Sequence, residues 1–187
     1  VQSVLGAPGP ENTISPVERS VFDMASPVDP SAPVSGGENR KRFLTCGVDP
    51  AAPACPQDPN TSAFGYLSIR RKVTNNSGAA VTRLRFRIVD ITTAGSPGAG
   101  ASQADLRALS SSQISVLVNG TPTTIEGTTL EQPPTQALGG GLNSSMNVGA
   151  ITLGTPLANG ASVNVQFMLG VQQSGNFRFI VTVDALP

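Results

Sequence analysis

The clearest signal along the chain is alternation of apolar and polar positions with a period of two. In FGYLSIRRKVT (64–74), Leu67, Ile69 and Val73 share one face, and Ser68, Arg70 and Lys72 take the other. In VTRLRFRIVDI (81–91), Leu84, Phe86 and Ile88 face inward, and Arg83, Arg85 and Arg87 face outward. The NNSGAA between these runs has turn chemistry, so the pair predicts a β-hairpin. Nearer the C-terminus, Val163, Val165, Phe167, Leu169 and Val171 align on one face. After a turn at QSGN, Phe177, Phe179, Val181 and Val183 do the same. Asn119-Gly120 sits between two β-rich runs, which is a strong short-range hairpin signal. VGAITL (148–153) reads as one more short strand. Residues 92–107 read as a Gly/Pro/Ser/Ala loop, with one helical turn expected near Gln103–Leu109, and EQPPTQALGGGLNSSMN reads as a long loop. About seven to nine short strands with turn signals between them predict an all-β, antiparallel, immunoglobulin-like β-sandwich.

Residues 1–38 follow a different rule. Pro8, Pro10, Pro16, Pro27, Pro30 and Pro33 exclude a long helix. Short extended pieces are expected at Val1–Leu5 and Val17–Met24, with another just beyond at Arg42–Thr45. Val1, Val4, Leu5, Val17, Val21, Phe22 and Met24 make the segment too apolar for a solvated linker. The expected organisation is an extended Pro-rich arm over 1–38, followed by a sandwich domain over 39–187. Such an arm suits β-strand addition, in which it fills a groove or sheet edge of another subunit. The competing arrangement packs the arm on its own domain.

Composition narrows the chemistry. The 187 residues contain no His, which excludes Ser-His-Asp and Cys-His catalysis and His-ligated zinc. Lys41 and Lys72 are the chain's lysines, and neither lies in an S-x-x-K motif. The acids are dispersed, with no D-x-D-x-D-G calcium loop. No catalytic residue, cofactor or metal site is predicted, and the chain reads as a non-enzyme.

Cys46 and Cys55 bracket a Pro-rich loop whose spacing fits no redox or metal pattern. A disulfide is expected, worth roughly 2–3 kcal/mol by the chain-entropy argument. The chain starts at Val1 and carries no signal-like segment, so a mature extracellular or cell-surface protein after signal-peptide removal is expected. No apolar run approaches the roughly 20 residues of a membrane span, and no membrane insertion is expected. N-x-S/T sequons at Asn60, Asn75, Asn119 and Asn143 predict surface loops.

The twelve bases and twelve acids balance, yet they are segregated. Residues 37–107 hold ten bases and five acids, whereas 108–187 hold one base and three acids. Arg70, Lys72, Arg83, Arg85 and Arg87 form an expected basic ladder, with Arg40, Lys41 and Arg42 as a further cluster. It would serve as a subunit contact, as a face for an anionic polysaccharide, or as a solvated face that discourages edge-to-edge pairing. Like charges opposed in one hairpin repel, so Asp90, Asp105, Glu126 or Glu131 are expected to interleave. Arg71 falls on the apolar side by alternation. That requires either a bulge or a buried acidic partner, for which Asp90 is the candidate. Nucleic acid is not an expected partner, because one Tyr and no Trp provide no stacking platform.

YLSIRRKVTNNSGAAVTRLRFRIVDITT, QADLR, EQPPTQALGGGLNSS and VNVQFMLGVQQSGNFRFIVTVDALP together resemble a module of secreted bacterial proteins. That module often forms the C-terminal end of very large repeat-containing surface proteins. The resemblance covers residues 64–187, and LGAPGPENTISPVERS also fits. It implies a location and a β-sandwich rather than an activity. For such a module standing alone, the expected function is a structural subunit of an extracellular filament. Copies would polymerise head-to-tail by strand addition of the arm. The alternative is a monomeric cell-surface adhesin module that binds glycan or anionic polymer.

Overall fold

The computed structural model describes residues 40–43, 66–93, 104–118, 121–131, 139–173 and 177–187. Among them there are ten strands and no helix: β1 Arg40–Phe43, β2 Tyr66–Thr74, β3 Arg83–Ile91, β4 Asp105–Leu109, β5 Ile114–Val118, β6 Thr121–Ile125, β7 Thr129–Glu131, β8 Ser145–Asn147, β9 Ser162–Gln173 and β10 Phe179–Leu186. Sheet I has the order β1-β2-β9-β4 and sheet II the order β10-β3-β8-β7. All pairings between these strands are antiparallel. β5 and β6 form a separate hairpin, with Val118 opposite Thr121 as the Asn119-Gly120 signal predicts.

One apolar core joins the sheets. Sheet I contributes Leu67, Ile69, Val73, Leu106, Ala108, Val165, Phe167, Leu169 and Val171. Sheet II contributes Leu84, Phe86, Ile88, Met146 and Phe179. The rings of Phe86 and Phe167 meet edge-to-face across the sheets, with centroids 4.9 Å apart at 89°. Phe179 closes the trio, 5.7 Å from Phe167.

The predicted hairpin over 64–91 does not form. β2 and β3 alternate as expected, but they belong to opposite sheets. The chain crosses between the layers at the segment read as a hairpin turn. Asn75 anchors the crossing: its Nδ2 donates to the carbonyls of Ala79 and Leu157 at 2.8 Å each, and its Oδ1 accepts from Ser77 N and Oγ. Only 4% of Asn75 is exposed, so this sequon is a buried structural asparagine rather than a surface loop site. Asn143 is exposed with a φ of 69°, and its Oδ1 accepts from Arg87. Asn60 and Asn119 lie outside the described residues.

Two further expectations are corrected. The helical turn near Gln103–Leu109 is instead the strand β4, held against β9. VGAITL is not a strand. Val148 and Ile151 are buried, Leu153 is 86% exposed, and Ile151 N donates to Val148 O in a turn. The pairing strand lies three residues earlier, in Ser145–Asn147.

The β5–β6 excursion is fastened to β9 through Gln166, which is fully buried. Gln166 Nε2 donates to Ser112 O at 2.7 Å, and the Gln166 carbonyl accepts from Thr128 Oγ1 at 3.1 Å. Glu126 N donates to Asn164 O, and Gln166 N donates to Glu126 O, each within 2.9 Å. Gly127 is required here, because a Cβ on it would lie 2.1 Å from the Ser111 carbonyl oxygen.

Candidate functional site

β10 carries alternating apolar residues, and its pairing with β3 fixes where its backbone points. The Leu84 carbonyl accepts from Val148, while Ile88 donates to Ser144 O and accepts from Asn143 N. Leu84 and Ile88 therefore turn their backbone groups toward the β8 side. By the alternation of an antiparallel ladder, Arg83, Arg85 and Arg87 turn theirs toward β10. Their opposites on β10, Leu186, Asp184 and Thr182, bond back to β3. Val181, Val183 and Ala185 are left with N–H and C=O directed away from the sheet. Among the described residues, no strand pairs with that side of β10 and no backbone group is hydrogen-bonded to it.

The register shift between Ile180 and Val181 leaves Val89 as the extra residue on β3. This bulge lets Ile88 and Ile91 both face the core, while Val89 is pushed out. β10 itself keeps its phase along its whole length. Its Val181, Val183 and Ala185 side chains lie against the core but are only partly buried. A small, water-sized apolar cavity beside Val183 and Ala185 is lined also by the buried Val73, Val81, Leu84 and Leu157. On the outer face, Ile180 is 49% and Leu186 53% exposed. β10 is thus an eight-residue edge strand with free backbone groups, a partly open apolar flank and one charge, Asp184.

The other long edge is handled differently. Ala108 of β4 exchanges two hydrogen bonds with Gly140, each 2.8 Å, and Leu106 N donates to Thr92 O. Gly140 can approach this closely because it lacks a Cβ, which would meet Leu130 at 2.5 Å. β7 is only three residues long, and Leu130 N donates to Ser110 Oγ. Short or covered edges are the usual protection against unwanted pairing. β10 has neither.

The predicted basic ladder is divided by the topology. Arg70 and Lys72 lie on β2 in sheet I, and Arg83, Arg85 and Arg87 on β3 in sheet II, so the two groups occupy opposite outer faces. Arg70 is buried, whereas Lys72 is exposed. On sheet II, Arg83 pairs with Glu131 at 3.0 Å. Arg85 lies 3.0 Å from Asp184 and 3.9 Å from Glu131. Arg178 donates to Asp90 at 2.7 Å, and this hydrogen bond raises the guanidinium's pKa above its ordinary value. Glu131 interleaves as expected, Asp184 was not foreseen, and Asp105 pairs with Arg107. Glu126 bridges to β9 through its backbone instead.

Arg71 is buried as its phase requires, but Asp90 is not its partner and β2 has no bulge. The β2–β9 register runs unbroken from Tyr66 to Thr74, and Arg71 Nη1 donates to Arg70 O at 2.7 Å. The arm residues Val1, Val4, Leu5, Val17, Val21, Phe22 and Met24 lie outside the described residues, as do Cys46 and Cys55. Among the described residues, no group of three or more His, Cys, Asp or Glu side chains is placed to hold a metal, and no helix could cross a membrane. Comparison with known proteins finds no matching family model, no similar curated protein and no similar solved structure.

Proposed function

We propose that this chain is a non-enzymatic structural subunit of a secreted bacterial assembly. Copies join head-to-tail when the N-terminal arm of one adds a strand to the β10 edge of the next. The observation that carries this reading is the unpaired apolar edge of β10. Its outward N–H and C=O groups would supply affinity, and its alternating side chains would set register. A contact between two different surfaces of the same chain need not close, and repetition of it builds a filament.

The strand order supports an immunoglobulin-like reading of the fold with one exchange. β3-β8-β7 and β4-β9 match the B-E-D and C-F strands of an immunoglobulin sandwich. In that fold the first strand lies beside B and the last beside F. Here β2 lies beside β9, and β10 beside β3. The exchange puts β10 at a sheet edge. The sequence resemblance to a secreted surface module and the Cys46/Cys55 spacing favour an extracellular setting. A polyanion-binding adhesin has less support, because Glu131, Asp184 and Asp90 lie against Arg83, Arg85 and Arg178 on the sheet II face.

Electron microscopy of the purified protein, with and without residues 1–30, tests this function. Filaments from the full chain that vanish on truncation are expected. Single particles of one chain in both samples would refute it.

A further inference from the structure

We infer that the strand added to β10 is Val17–Ser26, antiparallel, with Phe22 opposite Val183 and Met24 opposite Val181. The inference rests on the reading of β10 as an acceptor edge and names the segment that fills it. A donor must offer an N–H at every second position, opposite Val181, Val183 and Ala185, so proline is excluded from those positions and a proline-free stretch meets the requirement in any register. Within residues 1–38, Pro16 and Pro27 delimit the longest proline-free stretch, the ten residues VERSVFDMAS. The other proline-free stretches of the arm reach seven residues at most, in VQSVLGA.

The side chains select the register. Placing Ser20, Phe22 and Met24 opposite Ala185, Val183 and Val181 puts two large apolar groups beside the partly buried apolar side chains of β10. Arg19, Val21, Asp23 and Ala25 then fall on the outer face, opposite Leu186, Asp184, Thr182 and Ile180. Arg19 lies diagonal to Asp184, within reach for a long side chain. Glu18 falls beyond Leu186, at the solvated end of the pairing. A slip of one residue turns Arg19 and Asp23 toward the core. A slip of two in one direction presses Glu18 against the partly buried Ala185, and in the other it leaves Ser26 opposite Val181.

The connection is long enough. Thirteen residues, 27–39, separate this segment from Arg40, the first residue of β1. Extended, they reach roughly 45 Å, at about 3.3–3.6 Å per residue. That suffices to deliver the strand to another copy.

Asp23 and Thr182 would face each other as a non-hydrogen-bonded pair, with Cα atoms about 4.5 Å apart, inside the range a disulfide spans. Full-length protein carrying Asp23→Cys and Thr182→Cys is oxidised mildly, run on non-reducing gels, and the linked peptides are mapped by mass spectrometry. The comparison protein carries Asp23→Cys with Ile180→Cys, a diagonal pair roughly 7–8 Å apart. A ladder of cross-linked chains from the first pair, and at least tenfold less from the second, is the expected result. A 23–182 link confined within single chains would keep the donor and its register while overturning head-to-tail polymerisation. Failure of the 23–182 link in protein whose filaments still require residues 1–30 would overturn Val17–Ser26 as donor and leave the filament function standing. Preferential 23–180 linkage would overturn the register.

Discussion

Phe167→Ala should destabilise the protein more than any surface change, because Phe167 is the ring on which the two sheets meet. The side chain is 2% exposed. It lies edge-to-face with Phe86 of sheet II and angled at 61° to Phe179 of β10. Truncating a buried Phe to Ala typically costs about 3–5 kcal/mol through lost transfer energy and the remaining cavity. Each ring pair contributes about 0.5–1.5 kcal/mol beyond area alone. Burial therefore dominates, and about 4 kcal/mol is expected. For a domain whose total stability is roughly 5–15 kcal/mol, that is a large share. Urea denaturation reads it directly. With an m-value of about 2 kcal/mol/M, the midpoint should fall by about 2 M. Phe167→Leu keeps most of the burial and should lose about 1–2 kcal/mol. A midpoint drop under about 0.5 M for Phe167→Ala would refute the placement of this ring at the centre of a shared core.

The direction of the β10 backbone predicts a position-specific effect of proline. Val183→Pro removes an N–H that points away from the sheet, so it should cost only about 1–2 kcal/mol in thermal or urea unfolding while abolishing assembly in electron micrographs. Asp184→Pro removes an N–H bonded to β3 and should cost about 3 kcal/mol. Equal destabilisation by the two would mean that the strand's facing is misassigned. Gly127→Ala drives a methyl into the Ser111 carbonyl, in a connection held by the Ser111 N–H donating to Thr128 O. It should lower stability by about 2–3 kcal/mol, measured by urea unfolding, and an unchanged midpoint would show that the β5–β6 excursion is loosely held.

What the sequence revealed was local and periodic. The faces of β9 and β10 were legible from Val163 to Val171 and from Phe177 to Val183, because alternation determines which side chains point inward. The β5–β6 hairpin was legible because Asn-Gly specifies its turn. Partnership between strands was not legible. Leu67 and Leu84 both point into the core whether β2 and β3 lie side by side or face each other across it. Asn75 holds the crossing, its buried amide tying it to Leu157, 82 residues away. Asp-Leu-Arg-Ala-Leu of β4 is too short for period, and its residues favour helix, so only pairing with β9 makes it a strand. Burial of Ser68, Arg70 and Gln166 on the second face of sheet I was equally hidden, since polar residues on a strand ordinarily signal solvent.

The candidate site was legible only as half of a contact. The apolar residues of the arm suggested a donor, but the acceptor depends on which strands end up at sheet edges. The edges at β4 and β10 receive opposite treatment. β4 is covered by a loop that needs two adjacent glycines: Gly139 at a φ of 102° and Gly140 packed against Leu130. β10 has no such loop among the described residues, no proline within it and no lysine, and its one acid is held by Arg85. An edge of eight residues left in that state would pair indiscriminately unless a partner of matching pattern occupied it. The protection of one edge and the openness of the other are therefore complementary. Covering β4 removes one competing edge, which under the proposed strand addition favours β10 as acceptor and a linear assembly over an aggregate.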